Sequence, residues 1–392
     1  MWKAFVKLVL LGGVVYFASY ASVPNAGTLF EWKFEQLPPK FLAKETPWAD
    51  SVFHSLSRRQ RIAQLFMIAA YSDKNEAYRQ QMDRVVEATG VGGLIFFQGG
   101  PVRQVNLCNR LQLVSRVPMM VAMDAEWGLN MRMKDSVMAF PYQMQLGAIA
   151  DNQLIAEMGS EIARQCQLLG VQINFAPVVD VNNNPANPVI NYRSFGEQPM
   201  NVAEKGFAYS KGLESRNVLA VAKHFPGHGD TNSDSHKTLP TIPHNMHRLD
   251  SVELVPFKYL IDSGIGGVMT AHLSVPAIDP KPQQATTLSF KTVSMLLKGK
   301  LNFMGLAFTD ALNMQGVAAY NSHDESIVKA FLAGNDVLLM PTNITAAIAA
   351  IEKAVQQHRI DTTDIDKRCY KILKAKEWMG LNHWKPAPTD SL

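Results

Sequence analysis

Cysteine is scarce in this chain of 392 residues: only Cys108, Cys166 and Cys369 occur, far apart and with no CxxC pair. That spacing excludes a disulfide framework and a cysteine-built zinc site, and three buried thiols are expected. Charge is sparse as well, at 18% of the residues, with 38 Lys and Arg against 34 Asp and Glu and no basic block. A nucleic-acid partner is therefore not expected. Repeats and low-complexity tracts are absent, and the 25 Gly and 21 Pro are dispersed through a chain that is 47% hydrophobic. Collagen, coiled coil, polytopic membrane protein and wholesale disorder are excluded by that composition.

The N-terminal MWKAFVKLVLLGGVVYFASYA is different in character, with Lys3 and Lys7 ahead of an apolar run from Leu8 to Ala18 and small residues near Ala21. It reads as an export signal over residues 1–21, so the protein is expected outside the cytoplasm, periplasmic or secreted. The run is short for a span of roughly 20 residues. Left uncleaved, the segment would tether the chain to the inner membrane.

Short apolar runs recur from Ile62 to Ala70, Val91 to Phe97, Val117 to Met123, Val171 to Val179, Val218 to Ala222, Gly266 to Thr270, Gly305 to Phe308 and Asp336 to Met340. They lack polar alternation, as strands buried on both faces do. Amphipathic stretches such as Asn152 to Leu169, Val252 to Asp262 and Ile344 to His358 lie between them. About eight strand and helix units predict an α/β fold, a single TIM (β/α)8 barrel. An open doubly wound sheet is the alternative, weakened because no GxGxxG follows the first run. The expected organisation is an extension over residues 22–56, the barrel over 57–382 and a tail over 383–392.

Barrel enzymes place their chemistry at the C-terminal ends of the strands. Polar residues fall there repeatedly: Asp124 closes VPMMVAMD, Asp180 closes VQINFAPVVD, Lys223 and His224 follow NVLAVA, His272 closes GGVMTAH and Asp310 closes GLAFTD. One such residue could be a cap or a turn former; five of eight strand ends point to a titratable ring around one mouth.

The stretch KHFPGHGDTNSDSHKTLP, Lys223 to Pro240, is dense in Gly, Pro, His and Asp. Three readings are open. His224, His228, Asp230, Asp234 and His236 are competent metal ligands, but no HExxH or HxH spacing joins them, and no metal or other cofactor is expected. Glycoside hydrolysis needs a carboxylate at the anomeric carbon and an acid for the leaving oxygen, roles open to Asp310 and to His236 oriented by Asp234. A purely structural loop is the third.

Taken with NYRSFGEQP (Asn191 to Pro199), VMTAHLSVPAID (Val268 to Asp279) and FTDALNMQGV (Phe308 to Val317), this loop resembles glycoside hydrolase family 3, and more narrowly its bacterial β-N-acetylglucosaminidase branch. The similarity runs from about Ser57 to Asn382, and DSH inside a KHFPGHG loop is specific for that branch. β-Glucosidases of the family instead take a Glu acid from a second domain, for which the residues after the eighth run leave little room. The resemblance implies Asp310 as nucleophile, His236 as general acid/base and Asp234 as its partner. It further implies substrate binding by Asp124, Arg132, Arg193, Lys223 and His224.

The implied activity is retaining removal of terminal N-acetylglucosamine from peptidoglycan fragments or chitooligosaccharides, with the glycan as the sole evident partner. A β-glucosidase of the same family and a non-catalytic wall-glycan binder are the alternatives. Two departures stand out. DAEWGLNMR has Trp127 and Leu129 where Gly and Arg are commoner, and NYRSFGEQP carries an inserted-looking Tyr192 and has Gln198 where Asp is usual. Trp127 is suited either to stacking on a sugar face or to interior packing.

Overall fold

The computed structural model describes residues 36–133, 137–235 and 238–389. The expected export signal at residues 1–21 and the expected acid/base His236 lie outside the described residues. Among those described, no helix is long and apolar enough to cross a membrane.

Eight parallel strands form the core: β1 Phe66–Ala70, β2 Gly93–Phe96, β3 Met120–Met123, β4 Ile173–Asn174, β5 Leu219–Phe225, β6 Gly267–Thr270, β7 Leu306–Thr309 and β8 Leu338–Leu339. They pair in chain order from β1 to β7, and β8 pairs with β1. A parallel bridge between Phe308 and Val337, with Thr309 N–H donating to Val337 O at 3.0 Å, joins β7 to the start of β8. The predicted TIM barrel is thereby closed. Nearly every strand residue is buried, because helices cover the outside while Phe175, Met269 and Phe308 fill the interior.

Each apolar run carries its strand, with informative differences at the ends. The first run opens in a helix, Arg58–Ala63, whose N-terminus is capped by Ser57 Oγ accepting from Gln60 N–H, so the strand starts only at Phe66. The fourth run is mostly not strand: Pro177 has no N–H to give the ladder, and β5 is met there by carbonyls alone, Ala176 O accepting from Val221 N–H at 2.9 Å and Pro177 O from Lys223 N–H at 3.1 Å, until Val179 N–H donates to Lys223 O at 2.8 Å. Lys223 and His224 do not follow β5 but lie within it, extending the strand to Phe225.

The helix Asn152–Leu168 ends within one residue of its amphipathic stretch, whereas Leu254–Asp262 and Ile344–Gln356 are shorter by two. Residues 36–56 belong to the same compact unit as the barrel. The helix Pro47–Ser55 is held at its N-terminus by Glu377, whose carboxylate accepts from Ala49 N–H at 2.8 Å and faces the positive end of the helix dipole. The tail also docks, with Asn109 and Ala387 exchanging two hydrogen bonds of 2.9 Å. All three cysteines are buried thiols, and burial pushes each up to about 12.

Candidate active site

A cavity of about 450 Å³ opens at the C-terminal mouth of the barrel. Its floor is the apolar barrel interior, including Ile95, Phe175, Met269 and Leu339, and its wall is charged. Lys223, on β5 and 2% exposed, sends its ammonium between two carboxylates, 2.7 Å from Asp124 Oδ1 and 2.8 Å from Glu126 Oε1. Arg132 pairs with the other oxygen of Asp124, and its guanidinium lies 5.0 Å from the Phe97 ring centroid. Arg193 grips Glu126 with both prongs, Nη2 to Oε1 at 2.7 Å and Nε to Oε2 at 2.9 Å. The result is a chain of alternating charges, Arg132, Asp124, Lys223, Glu126, Arg193.

Burial by itself would raise the Asp124 and Glu126 carboxyls, but the cations outweigh it. Lys223 and Arg132 hold Asp124 well below the usual carboxylate range, and Arg193 and Lys223 hold Glu126 at about 2. Both are anions throughout the physiological range. Fixed carboxylates and forked cations of this kind are what a polyhydroxylated ring requires, since each hydroxyl can donate to one and accept from another.

A testable consequence concerns stability. Glu126→Gln keeps the shape but leaves Arg193 and Lys223 short of a buried counter-charge, and a loss of about 3–5 kcal/mol in urea unfolding is expected. The folded pKa of Glu126 is depressed from 4.5 to about 2, so its contribution is complete above 4.5 and is lost as pH falls toward 2. The wild-type urea midpoint should therefore drop across that window more than the variant's does. Parallel pH profiles would contradict the assignment.

Behind this wall lies a second tier. Asp180, fully buried at the end of the fourth run, accepts from the backbone N–H of His224 at 3.1 Å and of His228 at 2.7 Å, while its Oδ2 faces His224 Nδ1 at 2.7 Å. His224 and His228 lower the Asp180 carboxyl against the opposing effect of burial. Because this carboxylate only accepts, Nδ1 of His224 carries the proton and Nε2 is the atom left for the cavity. His228 is pushed down to about 4, first by burial and then by its neighbour His224, and stays neutral. Its Nδ1 meets Thr231 Oγ1 at 2.9 Å and its Nε2 meets Ser235 Oγ at 3.0 Å.

Ser235 is the centre of the DSH tripeptide, so His228 and Asp180 anchor the loop beside Asp234 and His236. Two glycines permit the path. Gly227 sits at a φ of +134°, and a Cβ on Gly229 would lie 1.8 Å from Val181 O.

Asp310 follows β7 on the opposite side of the cavity. Its Oδ1 accepts from Ala311 N–H at 2.7 Å and its own N–H donates to Thr270 O at 3.0 Å, which fixes the carboxylate at the strand end. Of the five strand-end positions, Asp124, Lys223 with His224, and Asp310 line the cavity, whereas Asp180 and His272 do not. His272 instead places Nε2 2.9 Å from Ala311 O, supporting the residue next to Asp310. All five expected binding residues, Asp124, Arg132, Arg193, Lys223 and His224, converge on the cavity with Asp310. Glu126 is the functional residue that sequence reasoning missed; its signal was the two-residue spacing from Asp124.

A family model described as glycosyl hydrolase family 3 N terminal domain matches residues 57–375. The chain belongs to glycosyl hydrolase family 3. Among relatives of this family, it is 32% identical over 327 residues to beta-hexosaminidase A of Pseudoalteromonas piscicida, covering 76% of this chain and 55% of that protein. It is 33% identical over 259 residues to a beta-hexosaminidase of Nitrosomonas eutropha, covering 64% of this chain and 73% of the relative. A solved family 3 beta-N-acetylglucosaminidase from Paenibacillus superposes with a TM-score of 0.79 at 35% identity, over 84% of this chain and 64% of that one. The chain thus spans about half of the Pseudoalteromonas relative and under two thirds of the Paenibacillus enzyme.

Proposed function

We propose that this family 3 chain is a retaining exo-β-N-acetylglucosaminidase acting outside the cytoplasm on chitooligosaccharides or peptidoglycan fragments. The observation that carries the reading is Asp310, held by Ala311 N–H at a rigid strand end and facing the charge chain from Arg132 to Arg193 across one cavity. A terminal pyranose whose hydroxyls are gripped by Asp124, Lys223 and the nearby forks would present its anomeric carbon to Asp310. The apolar floor blocks the cavity at one end, so a sugar enters only by a chain terminus, which supports exo cleavage.

In this mechanism Asp310 attacks the anomeric carbon and a glycosyl ester forms as the bond to the leaving oxygen breaks. His236, oriented by Asp234, gives its proton to that oxygen. The same imidazole then takes a proton from water, which opens the ester and releases the sugar with its configuration retained. The acetamido preference is supported by the DSH loop and by the likeness to beta-hexosaminidases and to a beta-N-acetylglucosaminidase.

A panel of nitrophenyl β-glycosides tests the reading on the protein lacking residues 1–21. Turnover of the N-acetylglucosaminide well above the glucoside is expected. Glucoside turnover alone, or no turnover, would overturn it in favour of a glucosidase or a glycan binder respectively.

A further inference from the structure

We propose that Trp127, Tyr142 and Tyr192 form a leaving-group subsite that holds the second pyranose ring of a β-linked amino-sugar chain. The inference rests on the glycosidase reading above and assigns the residues that read the aglycone.

Three separate segments supply these rings: Trp127 follows β3, Tyr142 precedes the short helix Gln143–Gly147, and Tyr192 lies in the turn Asn191–Arg193 after β4. Their centroids lie 4.9 Å apart for Trp127 and Tyr142, 4.7 Å for Tyr142 and Tyr192, and 6.1 Å for Trp127 and Tyr192. Interior packing does not account for the group, because Tyr142 is 42% and Tyr192 48% exposed. Trp127 and Tyr192 also line the same cavity as Asp310. Large aromatics left at a cavity mouth mark a contact surface rather than a core.

The ridge is registered to the sugar-binding wall through the backbone. Trp127 adjoins Glu126 and Tyr192 adjoins Arg193, and those neighbours form the two-pronged ion pair at 2.7 and 2.9 Å. Gly128, at a φ of +83°, turns the chain beside Trp127, and a Cβ there would lie 2.6 Å from the Phe140 ring. Phe140 N–H in turn donates to Trp127 O at 3.4 Å, which holds the Tyr142 segment against the same loop. Fixed rings lose little entropy when a ligand binds.

The chemistry of the occupant follows. A β-linked pyranose with equatorial substituents turns its axial C–H bonds to its two faces, which are therefore apolar and fit against aromatic rings. Its hydroxyl edge can meet tyrosine O–H and indole N–H groups. With the terminal sugar on the charged wall and the barrel floor closed, the next ring projects toward the mouth, where the three aromatics stand.

The test compares two substrates in Trp127→Ala, Tyr192→Ala and their Phe counterparts: N,N'-diacetylchitobiose, which carries the second ring, and N-acetyl-β-glucosaminyl fluoride, which does not. For chitobiose each Ala variant should lower kcat/KM about tenfold, mostly through KM, and each Phe variant should recover much of it. Fluoride turnover should stay within about twofold of wild type, because the charged wall and Asp310 are untouched. Equal losses on both substrates would reduce the cluster to a structural role, and unchanged chitobiose kinetics would remove the second ring from it. If wild type turns over neither chitobiose nor the fluoride, the glycosidase reading itself fails, a different outcome from loss in the variants alone.

Discussion

Asp310→Asn and Asp310→Ala are expected to lower kcat on N-acetyl-β-glucosaminides by roughly 10³-fold or more, since no other carboxylate is assigned to form the covalent ester. The fold should survive, because the backbone bond from Asp310 N–H to Thr270 O at 3.0 Å is kept in both variants and the amide oxygen of Asp310→Asn can still accept from Ala311 N–H. Unchanged urea midpoints beside the collapse of kcat would separate chemistry from folding. Residual activity above about a tenth would mean that the attacking group lies elsewhere.

His236→Ala should cost roughly 10² to 10⁴-fold on chitobiose, the range for losing a general acid/base. The loss should depend on the leaving group. A sugar alkoxide is a poor leaving group and needs the proton, whereas nitrophenolate departs without it, so the nitrophenyl substrate should keep a faster first step. The second step still needs a base to activate water, and added azide, which attacks unaided, should restore turnover and yield a glycosyl azide. Asp234→Asn should move the same way to a smaller extent. An equal loss on both substrates with no azide rescue would remove His236 from proton transfer. The neutral His228 bridging Thr231 and Ser235 gives the loop that carries Asp234 a defined anchor.

Strand positions were legible because a barrel buries both faces of each strand, leaving eight mainly apolar runs without polar alternation to be counted. Their ends were less so: Pro177 interrupts the fourth ladder, and β5 carries Lys223 and His224 inside the strand because a buried lysine is tolerated once Asp124 and Glu126 face it. The strand-end rule found Asp124, Lys223, His224 and Asp310. It did not distinguish groups facing the cavity from those behind it, such as Asp180 and His272, because the rule locates a position along the strand and says nothing of the partner opposite. Glu126 was given no role from the sequence because its place in the site depends on Arg193, 67 residues away. The aromatic ridge was visible only as the odd Trp127 and Tyr192, since Tyr142 joins them through packing that no local pattern announces.

The central claim, a covalent sugar ester on Asp310, is tested most directly by intact-protein and peptide mass spectrometry after incubation with a 5-fluoro-N-acetylglucosaminyl fluoride. Such a substrate forms the ester quickly and loses it slowly, because fluorine destabilises the cationic transition state of both steps while the fluoride leaving group speeds only the first. The account predicts one added sugar per chain, carried on the peptide that contains Asp310 and absent from Asp310→Ala. A wild-type enzyme that turns over its substrate yet never accumulates the adduct, or carries it on another residue, would contradict the account.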